Sequence, residues 1–174
     1  MKNFPQPPEC VWGNFTEQRL HPHQRMIGSK KLAVVNDAIK QMVETHKSYA
    51  TFEDLFNDVA SVCVGLVCSS KYTIRNINNL LIYDIAKRMA LHYDVTPSEY
   101  VYVHKPTFTT TKKPNGPYGG AVNLGLNVVP LNGINVVKRA EIIARYPELE
   151  PLSSAEIEDF LCIYCHELSK YKHS

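Results

Sequence analysis

Apolar residues spaced three and four apart run through the chain from Leu32 to Met89, and residues so patterned share one buried face only as amphipathic helices. Leu32, Val35, Ile39, Met42 and Val43 define a first helix, capped by Ser29 and ending near His46. A Thr-x-x-Asp box, Thr51 to Asp54, opens a second over 52–68, which carries Phe52, Leu55, Phe56, Val59, Val62, Cys63 and Leu66. Leu80, Leu81, Ile85 and Met89, with Ala86 beside them, predict a third that Asp94 and Pro97 stop near Tyr93.

The rest is less regular. Thr96, Pro97 and Glu99 read as a helix start, so Tyr100 to His104 is expected to be one short helix despite its strand-like composition. Residues 105–133 are rich in Pro, Gly, Thr and Asn and predict a long loop with a small hairpin. Helix signals return over 135–146, before Pro147, and at Ser153, whose Ser-x-x-Glu box with Glu156 opens a last helix bearing Ile157, Phe160, Leu161, Tyr164 and Leu168. The expected fold is therefore mainly α: a single compact helical domain of five or six helices over 29–174, behind an irregular arm, 1–28, that holds Trp12 and His21-Pro22-His23.

Composition narrows the function classes. Nineteen basic residues against seventeen acidic ones give a formal charge of +2, so any attraction to nucleic acid must come from a local patch. The opening MKNFPQPPEC has no apolar signal-peptide core and no run suits a membrane span, so a cytoplasmic location is expected. Five cysteines in such a chain predict reduced thiols. Cys162-Ile163-Tyr164-Cys165-His166 matches the haem-attachment pattern, which requires an exported chain. Cys63 and Cys68, five apart, point roughly 140° apart on a helix, too divergent to share a zinc. His21 and His23 lack an identifiable third ligand. Neither a metal nor a cofactor is expected.

The segment Tyr72-Thr73-Ile74-Arg75-Asn76-Ile77-Asn78-Asn79, between two helices, has the layout of a helix-hairpin-helix, a short turn with one buried aliphatic that presents backbone N–H groups to a phosphate. Its continuation, Ile77-Asn78-Asn79-Leu80-Leu81-Ile82-Tyr83-Asp84, resembles the Gly-Ile-Gly hairpin followed by Tyr-Asp of an uncharacterised bacterial protein family whose members are locally similar to helix-hairpin-helix DNA-repair proteins. Tyr100-Val101-Tyr102-Val103-His104, Ala155 to Tyr164 and the His-Pro-His-Gln stretch at 21–24 are similar to further segments of that family. The resemblance implies a nucleic-acid-binding domain. Asn76 and Asn78 stand where the family's hairpin has glycines: asparagine reaches the left-handed φ, but its side chain obstructs a close phosphate. Leu80 and Leu81 occupy the place after the hairpin where related lyases carry a nucleophile, which argues against Schiff-base chemistry.

Three functions follow from these residues. As a binding module, the chain holds a phosphate backbone through Asn76, Asn78, Asn79 and Arg75, with Lys71 and Lys87 alongside and Lys112 and Lys113 in the threonine-rich loop near Phe108 and Tyr118. As an enzyme acting on a nucleotide or extruded base, it places Tyr83, Asp84, Tyr102 and His104 in a pocket under the loop 105–133. As an accessory protein of a mobile-element or defence system, it offers the aromatic arm to a protein partner.

Overall fold

The computed structural model describes residues 29–46, 48–68, 79–104, 115–131 and 133–172. The fold is mainly helical with one small sheet, and the chain gathers into two compact units, Met1–Thr96 and Pro97–Ser174. The N-terminal arm, the hairpin over 72–78 and the lysine-bearing loop 105–114 lie outside the described residues.

In the first unit, α1 (Ser29–Thr45), α2 (Phe52–Cys68) and α3 (Asn79–Tyr93) follow the apolar periodicity, with α1 packed on α2 and α2 on α3. Leu32, Val35, Ile39 and Met42 of α1 are buried, as are Phe52, Leu55, Phe56, Val59 and Cys63 of α2. Burial pushes the Cys63 thiol up to about 12, so it acts as a small apolar group. The Thr51 box is formed: its hydroxyl accepts from the Asp54 N–H at 3.1 Å and donates to the Asp54 carboxylate at 2.7 Å. Ser29 is the first helical residue of α1. At the end of α3, Asp94 turns left-handed (φ 54°) and the Val95 N–H reaches back to Ala90 O, a helix stop that aspartate tolerates.

The second unit departs further from the expectations. Tyr100–Tyr102 is not a helix but strand β1, paired antiparallel with β3 (Ile134–Lys138), which also pairs with the edge strand β2 (Val129–Leu131), giving the order β1-β3-β2. The register sets Tyr100 opposite Lys138, Val101 opposite Val137 and Tyr102 opposite Val136. The helix-start signals at Thr96 to Glu99 lose to this pairing, in which Val101 and Val137 are both fully buried.

The expected loop holds β2 and the turn at Gly133 (φ +81°), but the strand paired with β2, β3, lies beyond it, and the loop also contains a helix, α4 (Gly116–Asn123). Asn115 caps α4 by accepting from the Gly116 N–H, and Gly125 (φ +72°) ends it with Leu126 N–H to Ala121 O and Gly125 N–H to Val122 O. The helix expected over 135–146 is β3 followed by a shorter α5 (Arg139–Arg145). The last helix, α6 (Ser154–Ile163), forms as predicted, with the reciprocal Ser153–Glu156 capping box; hydrogen bonds from Ser153 hold the Glu156 carboxyl below its usual range. Tyr164 and Leu168 fall beyond its end, Leu168 in a 3-10 turn, Leu168–Tyr171. Val101, Val103, Ala121, Leu124, Val137, Ile142, Ile157 and Leu161 build the core between sheet and helices.

Candidate functional site

Along α6 the buried positions are Ser154, Ile157, Glu158 and Leu161, one stripe at helical spacing, so a carboxylate stands where an apolar side chain is expected. Opposite it, Val103 extends the β1 pairing through its N–H to Asn135 O at 2.9 Å and delivers His104 into the same interior. The two side chains, 8% and 7% exposed, bring His104 Nδ1 to 3.9 Å from Glu158 Oε1, an ion-pair rather than a hydrogen-bond separation. Charged side chains seldom enter a core unless they face a partner. His104, Ser154 and Glu158 are the polar residues buried in the described core.

Around this pair the unit is tied together by side-chain bonds to α4. Asn123 Nδ2 donates to Cys165 O, and the Cys165 thiol donates to Asn115 Oδ1 at 3.4 Å, so the turn after α6 holds both ends of α4. Cys162 is the other thiol of this region. Burial, and then the charges of Glu158, Cys165 and Asp159, push its thiol upward, which disfavours the thiolate a nucleophile needs. Among the described residues no three His, Cys, Asp or Glu side chains come together as a metal site.

The four residues of the enzyme reading divide into two pairs. Tyr102 and His104 lie on and just after β1 in the second unit, Tyr102 buried like its neighbour. Tyr83 and Asp84 lie on α3 in the first unit. Tyr83 is 1% exposed and meets Phe52 edge-on at 6.2 Å, which makes its ring part of the helix core. Of the phosphate-contact candidates, Asn79 opens α3 and is exposed, and the Lys87 ammonium sits 5.9 Å over the Tyr83 ring. Lys71, Arg75, Asn76, Asn78, Lys112 and Lys113 lie outside the described residues.

Two groupings escaped the sequence. Glu158 left a signal, a charge at i+4 from Ser154 and i−3 from Leu161 on an otherwise apolar stripe. The other ties the ends of α1 and α3 and the connection between α1 and α2 to the body of α2: the Tyr49 hydroxyl donates to Asp58 at 3.0 Å, His46 Nε2 approaches the same carboxylate at 3.6 Å, and the Tyr93 hydroxyl donates to His46 O at 3.0 Å. Burial, and then the hydrogen bond to Asp58, push the Tyr49 hydroxyl above its usual range, so it stays a donor. Tyr49, Asp58 and Tyr93 lie on three separate segments, and no local pattern announces them.

Compared with family models, curated proteins and solved structures, the chain finds no match. Among the described residues no helix is long and apolar enough to cross a membrane.

Proposed function

We propose that the protein is a nucleic-acid-binding helical module that holds the phosphate backbone through α3 and the connection ahead of it. The observation that carries this reading is charge density: from Lys71 to Arg88 four cations, Lys71, Arg75, Lys87 and Arg88, accompany one carboxylate, Asp84. The first turn of α3 adds no acidic residue to offset the positive end of its dipole. Resemblance of Ile77 to Asp84 to the hairpin of helix-hairpin-helix proteins supports the same contact.

Fluorescence anisotropy with single-stranded, duplex and gapped DNA and with RNA, repeated across salt concentration, tests it. Binding is expected to weaken steeply with salt and to show little base preference. Arg75→Ala and Lys87→Ala should each flatten the salt dependence by about one unit of slope. A protein that binds none of these strands at low salt is not this module.

A second reading, an enzyme acting on a nucleotide or extruded base, is favoured by the His104–Glu158 pair. A carboxylate facing Nδ1 sets which imidazole nitrogen carries the proton, as acid–base catalysis requires. On this reading His104→Ala abolishes base release or nucleotide turnover while the circular-dichroism spectrum keeps its helical shape. Turnover that survives the substitution eliminates His104 as the acid–base group.

A further inference from the structure

The second unit carries a cleft of about 670 Å³ that neither reading above uses. Leu124, Leu149 and Leu168, all buried, are among the residues that line it. Its wall is fixed by Tyr146, whose hydroxyl donates to Leu124 O at 3.0 Å and lies 3.3 Å from Tyr171 O, joining the loop after α4 to the C-terminal 3-10 turn. Phe160 of α6 and Tyr164 just beyond its end, ring centroids 5.2 Å apart and tilted by 46°, also line it. Tyr171 lines it from the 3-10 turn. Tyr164 is 45% exposed and Tyr171 62%, two large rings kept in water beside a hollow of leucines.

The charges that line the cleft decide what such rings suit. Lys170 and Lys172 bring two cations and Glu148 and Glu167 two carboxylates. The balance gives a bare anion little net attraction, so affinity must come mainly from a flat ring stacked on the aromatics, with the lysines contacting a phosphate attached to it. Tyrosine suits this work because it loses little rotamer entropy when covered. Lys172 is already placed, its side-chain stem lying against Gly125 beside the cleft.

We infer that this cleft binds an aromatic base bearing a phosphate, by stacking on Phe160, Tyr164 and Tyr171 with Lys170 and Lys172 at the phosphate. A free nucleotide and an unpaired base of a strand both supply that chemistry. The inference does not depend on α3, because every lining residue belongs to the second unit.

The test is an NMR titration of the full chain with AMP, CMP, GMP and UMP, with inorganic phosphate, and with a short single-stranded oligonucleotide. At least one mononucleotide is expected to saturate and to shift the Tyr164 and Tyr171 ring signals, with inorganic phosphate at least about tenfold weaker. The double variant Tyr164→Ala, Tyr171→Ala replaces exposed rings, so the fold should persist, and it should weaken binding by on the order of tenfold or more. A strand that binds about tenfold tighter than any mononucleotide, and loses that margin in the double variant, identifies an unpaired base; equal affinities identify a free nucleotide. If nothing saturates, or the double variant binds every ligand as the native protein does, the inference is overturned. Arg75→Ala and Lys87→Ala leave the cleft intact, so failure here and failure of the α3 reading are separately visible.

Discussion

Gly120→Ala is expected to destabilise the second unit strongly. A Cβ built on Gly120 would lie 2.2 Å from the Leu161 carbonyl oxygen, and the obstruction is α6 backbone rather than a side chain that can swing away. To admit one methyl group α4 must withdraw from α6, parting Ala121 and Leu124 from Leu161, all of them fully buried or nearly so. Overpacking against fixed backbone is put at about 3 kcal/mol or more here, a large share of a stability of roughly 5 to 15 kcal/mol. Chemical denaturation gives the magnitude, and hydrogen exchange should show the amides of α6 losing protection. Gly65→Ala supplies the opposite sign: Gly65 is an exposed residue inside α2 with nothing within 4 Å of its would-be Cβ, so alanine there should stabilise by about 0.5 to 1 kcal/mol. Gly120→Ala retaining native stability would mean that α4 and α6 do not approach this closely.

Phe52→Ala is the matching experiment in the first unit. Phe52 is 1% exposed at the first position of α2, with Phe56 at 6.3 Å and Tyr83 of α3 at 6.2 Å between ring centroids. Truncation removes the ring and leaves a cavity between α2 and α3, a loss of about 3 to 5 kcal/mol. The denaturation midpoint should fall accordingly, and Phe52→Leu, which refills most of the space, should recover more than half of it. A loss below about 1 kcal/mol would show that the site collapses around the gap and that the aromatic contact with Tyr83 holds little.

Both positions bear on function through what they hold. Phe52 supports the ring of Tyr83, over which Lys87 sits, and so helps present a cation of the proposed phosphate contact. Gly120 lets α4 lie against α6, the helix that carries Glu158 toward His104 and Phe160 toward the cleft, with Tyr164 just beyond its end. A stability defect at either position would therefore resemble a functional one, which is why the functional variants proposed above are read alongside a spectrum or ring signals.

The three helices α1 to α3 and the start of α6 could be read from the residues because each is specified locally: a stripe of apolar side chains at helical spacing and, before α2 and α6, an oxygen placed to take up an orphan N–H. His104 was legible as a candidate, but its pairing was not, since Glu158 lies 54 residues further on and a charge on an apolar stripe does not name the residue it will face. The second unit was decided by contacts between distant segments. Tyr100–Tyr102 is a strand only because β3 supplies its hydrogen bonds, and the Pro-, Gly- and Asn-rich run Gly116–Asn123 is a helix although its composition disfavours one, because Asn115 caps it, Gly125 ends it and Gly120 fits under Leu161. Local periodicity and capping oxygens determined where the long helices are; pairing and close packing, whose energies exist only once remote residues meet, decided the sheet, the short helix and the buried His104–Glu158 pair.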